Sequence, residues 1–212
     1  WNYELLFFDE QEFAVGHGVS TSWSLNENGS CSNLFTDWIP QSEVFKASAA
    51  IDRLDNDQVF ELKFLSDPDS KTEIVDGLKS LADAYRQWIT EGRESLHERW
   101  LTANAESRGR LKAAAERNLD GCAEQLERLQ AGIQALEDER CPWLWESFCL
   151  ANEAMRASMR RGSAGDEPMW RPFQLAFILI ALPSTLNSAH HDRETLDLIW
   201  FPTGGGKTEA YL

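Results

Sequence analysis

Residues 201–212 read Phe201-Pro-Thr-Gly-Gly-Gly-Lys-Thr-Glu-Ala-Tyr-Leu212, and this run decides what kind of fold must surround it. A polyphosphate is held by several backbone N–H groups aimed at one point, which needs a chain unobstructed by Cβ atoms, and Gly204, Gly205 and Gly206 provide it. Lys207 follows as a point charge for the β- and γ-phosphates. Thr208 supplies a hydroxyl for Mg²⁺, and a helix opening near Lys207 turns its positive dipole end toward the anion. Thr203 and Glu209 flank these residues and complete the candidate ATP contacts. The strict phosphate-loop pattern has a Gly where this chain has Phe201. The order strand, loop, helix is nevertheless kept, because residues 196–201 form a short apolar run that reads as a buried parallel strand. The competing interpretation is a Gly-rich turn before an unrelated helix.

The variant Pro-Thr-Gly-Gly-Gly-Lys-Thr resembles motif I of superfamily 2 helicases and translocases, and Trp170-Arg-Pro-Phe-Gln174 is similar to the Q motif of that superfamily. The resemblance implies the start of a RecA-like α/β motor domain in residues 170–212, with Gln174 reading adenine and Arg171 or Phe173 lining the base pocket. An amide has the donor and acceptor that adenine's edge demands. Without the loop downstream, Gln174 reads as a solvated polar residue at a helix start.

The remaining composition is that of a globular protein, with 42% hydrophobic residues in 212. No run approaches the ~20 apolar residues of a membrane span, and the first residues lack a basic leader, so a cytoplasmic protein without membrane contact is expected. The chain begins without Met and stops one turn into the loop helix, which predicts a piece of something longer. Its 35 acidic and 20 basic residues give a net charge of −15. Such a segment repels a nucleic-acid backbone, so DNA must bind locally or elsewhere. Cys31, Cys122, Cys141 and Cys149 lack paired spacing, which predicts reduced thiols and no metal. His190 and His191 are adjacent, so helix or strand geometry sends them to different faces as a solvated pair. His17, between two glycines, reads as a turn residue.

The fold class predicted is α+β. Residues 1–65 read as a small β-rich region with strands near 3–8, 12–15, 19–23, 35–40 and 59–65 and a loop at 26–30. Residues 66–161 read as a helical bundle. Ser70 and Glu73 have capping-box spacing, and Leu78, Leu81, Tyr85 and Trp88 follow at helical intervals. Leu119, Cys122, Leu126, Leu129, Ile133 and Leu136 alternate at three and four, predicting a long helix over 107–139 that pairs with the previous one as an antiparallel, coiled-coil-like hairpin. Pro142 opens a third helix, to about Arg161, with Leu144, Phe148, Ala151, Met155 and Met159 inward. Arg156, Arg160 and Arg161 are either a solvated basic face or a phosphate contact, and residues 162–169 form a linker.

Taken together, the Gly-His-Gly opening, Thr36-Asp-Trp-Ile-Pro40, Arg117-Asn-Leu119, the segment from Phe148 to Met155, Arg171-Pro-Phe-Gln174 and the terminal loop resemble the superfamily 2 helicase subunits of bacterial DISARM anti-phage systems. The resemblance implies an ATP-driven, Mg²⁺-dependent DNA translocase working beside a second, DrmB-like subunit. Its Walker B acids and arginine fingers would lie outside residues 1–212. Two other classes stay open: an interaction module that docks a partner beside a P-loop NTPase, and a P-loop NTPase that is not a helicase.

Overall fold

A computed structural model describes residues 11–39, 57–96, 105–160, 167–199 and 206–211. The chain divides into two compact units, one of residues 1–46 with 104–115 and one of residues 47–103 with 116–212.

The first unit holds an antiparallel hairpin of β1 (Ser20–Leu25) and β2 (Cys31–Asp37), with Trp23 opposite Leu34 and an irregularity between Ser24 and Leu25. The loop predicted at 26–30 closes it for a local reason. The Asn26 side chain accepts the N–H groups of Asn28 and Ser30 at 3.1 and 2.9 Å, and Gly29 takes φ 74°. Two expectations are corrected here. Residues 12–15 form no strand, so β1 pairs forward with β2; Ala14 instead accepts the Thr21 hydroxyl and Phe13 meets Trp23 edge-on. The second strand starts at Cys31 and ends at Asp37 instead of running from Phe35 to Pro40. The strand expected at 3–8 lies outside the described residues.

The second unit is helical. A 3₁₀ turn (Asp57–Phe60) leads into α1 (Leu62–Leu65), where a strand was expected. Burial fits the helical turns: Val59, Phe60, Leu62 and Leu65 go inward, a spacing of adjacent and three-apart positions that a strand, which buries every second residue, does not give. Then come a second 3₁₀ turn (Pro68–Ser70), α2 (Lys71–Ser95), α3 (Ala105–Glu137, whose beginning belongs to the first unit) and α4 (Pro142–Arg160). α5 (Pro172–Leu186), a 3₁₀ turn (His191–Glu194) and α6 (Lys207–Tyr211) complete it.

Helices α2 and α3 form the expected antiparallel hairpin. Lys79, early in α2, pairs with Glu137, late in α3, at 2.5 Å, while Arg93 pairs with Asp120 at 2.7 Å. These exposed pairs set register more than stability. Stability comes from Ile74, Val75, Leu78, Leu81 and Ile89 on α2 and from Leu119, Leu126, Leu129, Ile133 and Leu136 on α3, all buried. Trp88 was expected with them but is 47% exposed, one position short of the inward Ile89. α5 crosses α3 closely at Gly132, where a Cβ would lie 2.0 Å from the Leu179 carbonyl oxygen.

The capping box at Ser70 is absent. The Ser70 hydroxyl donates to Asp67 at 2.8 Å, and Asp67 caps the preceding 3₁₀ turn instead. On α4 the inward face is Leu144, Trp145, Phe148, Cys149 and Asn152, with Ala151 exposed, and Trp145 donates its indole N–H to the Pro68 carbonyl from that face. Burial pushes the Cys149 thiol up to about 11, and all four cysteines are unpaired thiols. No described helix is long and apolar enough to cross a membrane.

Candidate functional site

The entry to α5 is pinned before the helix begins. Leu62 donates its N–H to the Pro168 carbonyl at 3.1 Å, and Trp170 donates its own to Phe60 at 2.7 Å. The indole of Trp170 donates to the buried Asn152 side chain at 2.7 Å, and Asn152 in turn donates to the Phe148 carbonyl at 2.8 Å, so this buried amide is satisfied at both ends. Arg171 then takes an extended N-cap conformation, Pro172 fills the first helical position and Gln174 is the third. The Gln174 carbonyl oxygen accepts the Arg171 N–H at 2.7 Å, as a third-position Gln does when it reaches back to the cap.

The other end of the same amide reaches the glycine loop. Gln174 Nε2 donates to the Gly206 carbonyl at 2.5 Å, and Gln174 is only 3% exposed. Gly206 has φ 77°, and a Cβ there would lie 2.8 Å from Gln174 Nε2 and 3.2 Å from Glu209 Oε2. Any L side chain at this position is strained. Lys207 and Thr208 follow in the first turn of α6, Lys207 partly buried and Thr208 exposed. Glu209 Oε2 is buried without a hydrogen-bond partner among the described residues. Thr203, Gly204 and Gly205 lie outside the described residues.

Phe173 faces elsewhere. With Pro172, Phe177 and Ile180 it lines one wall of a groove of about 820 Å³, whose other walls include Tyr85, Trp88 and Leu129. Neither Gln174 nor Arg171 lines it, so the residues expected to share one base pocket are divided between the two sides of α5. The run 196–201 was expected to be a buried strand. Residues 196–199 have no strand pairing, and Leu196 and Leu198 are 92% and 78% exposed.

A residue that the sequence motifs do not single out is Arg128, on α3. Its guanidinium donates through Nη1 and Nη2 to both oxygens of Asp197, at 2.6 and 2.8 Å, and through Nε to Asp192 at 2.9 Å. Hydrogen bonding to Arg128 holds the Asp197 carboxyl below its ordinary range, and the same bond raises Arg128. A signal was present: Asp197 is an acid set inside an apolar run. His190 and His191, expected on different faces, stack with ring centroids 4.3 Å apart at the start of the 3₁₀ turn. With Asp192 they bring possible metal ligands within 4.8 Å of one another, yet Asp192 is engaged by Arg128 and His190 Nδ1 accepts the Asp192 N–H at 3.2 Å. The basic cluster is also altered. Arg156 and Arg160 both pair with Glu167, which lowers the Glu167 pKa chiefly through the Arg156 bond, and Arg161 lies outside the described residues.

These features define an acidic, mostly helical segment in which a Q-like helix start is bonded to a Gly-Lys-Thr loop. No family model matches it. The chain is similar to the DISARM protein DrmA of Bacillus paralicheniformis, with 32% identity over 228 residues that take in 99% of this chain and 19% of that protein. The chain therefore spans about a fifth of the length of the curated relative it matches.

Proposed function

We propose that this chain is the N-terminal, nucleotide-entry part of an ATP-dependent superfamily 2 DNA helicase or translocase acting in a DISARM-type anti-phage defence system. The observation that carries the proposal is the Gln174–Gly206 bond, since it joins the Q-like and phosphate-loop motifs into one local structure. The similarity to DrmA over nearly the whole chain supports the system assignment.

In this reading residues 170–212 open a RecA-like domain. The exposed Leu196 and Leu198 suit a first strand whose neighbours come from sequence beyond this chain. Gly206 lets the backbone approach a phosphate, Lys207 neutralises its charge, and Gln174 fixes the turn. The Thr208 hydroxyl and the unsatisfied Glu209 oxygen are of the hard, oxygen-donor type that suits a hydrated Mg²⁺, with Thr208 as ligand. Mg²⁺ would supply charge neutralisation at the β- and γ-phosphates. Phosphoryl transfer to water depends on such positioning, completed by acids and arginines outside residues 1–212. Adenine would be contacted through the second N–H and second lone pair of Gln174, with Arg171 beside it, while Phe173 lines the groove on the other side of α5.

DNA would bind through motor regions mostly outside this chain, in the cytoplasm, beside a DrmB-like subunit. The bundle fits a docking role better than a DNA groove, because Glu153 and Glu167 together already pair with Arg156 and Arg160. The central test is Lys207→Ala in the full-length protein. ATP hydrolysis is expected to be lost with the melting temperature unchanged; near wild-type turnover would reject the loop assignment.

A further inference from the structure

We propose that Arg128 is a positioning residue for the nucleotide loop, clamping the segment that runs into it onto α3. The inference rests on reading residues 201–212 as a phosphate loop. Three observations carry it.

The first is how weakly packing holds the segment 195–199. Leu196 and Leu198 are exposed and no sheet ladder is formed among the described residues, so within this chain the half-buried Ile199 gives the segment little apolar packing and the polar tie carries the rest. The second is the chemistry of the tie. Arg128 is 14% exposed and spends its planar fork on both Asp197 oxygens, its Nε on Asp192 and a further Nη1 bond, 3.0 Å, on Gln125. A lysine ammonium cannot reproduce that bidentate plane, and a guanidinium partly withdrawn from water holds its partners more firmly than a surface pair does. The third is where the two acids sit. Both belong to the connection between α5 and α6, Asp192 at its 3₁₀ turn and Asp197 inside the run that continues into the glycines. One side chain on the hairpin thus sets two points of the chain entering the loop, while Gln174 sets the point leaving it at Gly206.

Placement of this kind is felt equally by the bound substrate and the transition state, so its loss should raise KM and leave kcat nearly alone. The test uses full-length protein as wild type and as Arg128→Gln, Arg128→Lys, Asp197→Asn, the double Arg128→Gln/Asp197→Asn, and Lys207→Ala. Binding of a non-hydrolysable ATP analogue with Mg²⁺ is read by titration calorimetry, with steady-state ATPase constants and melting temperature alongside. Arg128→Gln and Asp197→Asn should each weaken the analogue and raise KM by about tenfold, with kcat held within about twofold. The double variant should be no worse than the poorer single one, because both remove the same tie, and Arg128→Lys should recover part of the loss. If Arg128→Gln fails to fold, Asp197→Asn, which keeps Arg128 on Asp192, decides alone. Wild-type affinity in these variants while Lys207→Ala has lost binding overturns the clamp and leaves the loop reading standing. Additive losses, or a fall in kcat at unchanged KM, also overturn it. Absence of binding by the wild type overturns both.

Discussion

Gln174 carries two demands on one amide. Its oxygen and one N–H are committed to Arg171 and Gly206, so substitution removes a loop anchor whatever base is bound. Any adenine contact adds to that. Gln174→Ala is therefore expected to weaken ATP and CTP alike, by the worth of a bond whose loss strands a buried partner, about 1–3 kcal/mol. ATP should lose a further increment, and the ratio of the two losses measures adenine reading alone. A ratio of one assigns Gln174 to the loop only; no loss with either nucleotide rejects both roles. Gly206 is less forgiving. At φ 77° any side chain is strained, and a methyl group would press on Gln174 and Glu209.

At the scale of the elements, the α2–α3 hairpin should be the most mutation-sensitive structure. Leu126→Asp places a carboxylate on a seam of buried Leu129, Ile133 and Leu136 and is expected to cost about 4 kcal/mol. Gly132→Ala drives a methyl into the Leu179 carbonyl and should destabilise by about 3 kcal/mol, although alanine is the better helix former. Equilibrium denaturation checks both, and a stabilised Gly132→Ala would disprove the close crossing. The Arg128–Asp197 tie has a pH signature. Because Asp197 is depressed in the folded state relative to its ordinary 3.8, its contribution is complete above about pH 4 and is lost as pH falls through the folded value. Asp197→Asn should accordingly flatten the acid limb of a melting-temperature profile and lower its plateau.

These elements also separate what was legible in the sequence from what was not. The α3 seam was legible because six apolar positions over more than two heptads leave one face to bury, and five of the six are buried. The 59–65 segment was not, since aromatic and β-branched content argued for a strand while packing buried Val59, Phe60, Leu62 and Leu65 on helical turns. Ser70 had the right spacing for a cap, but the neighbouring Asp67 took its hydroxyl. Of the site, the glycines and Gln174 were visible as types in a motif. The bond between Gln174 and Gly206, and the clamp from Arg128, join residues far apart in sequence that no local pattern relates.

For the molecule as a whole, the question is whether the acidic helical region reads DNA. A charge of −15 over the chain opposes it, and in the basic cluster at the end of α4 the two described arginines are paired with acids, Arg156 with Glu153 and Glu167 and Arg160 with Glu167. The test belongs in full-length protein, because a fragment ending at residue 161 would remove Trp170, Leu175 and Leu179, all buried in the second unit. Changing Arg156, Arg160 and Arg161 together to Gln should leave DNA affinity within about threefold and shift the slope of log affinity against log salt by about one at most. Three phosphate-bound arginines would shift that slope by roughly 2 to 3. Paired arginines release few counterions when lost, so the small shift follows directly from the Glu167 bonds. A collapse of binding would mean that Glu167 gives up its arginines to phosphate when DNA arrives, and that the helical region is part of the DNA-reading surface.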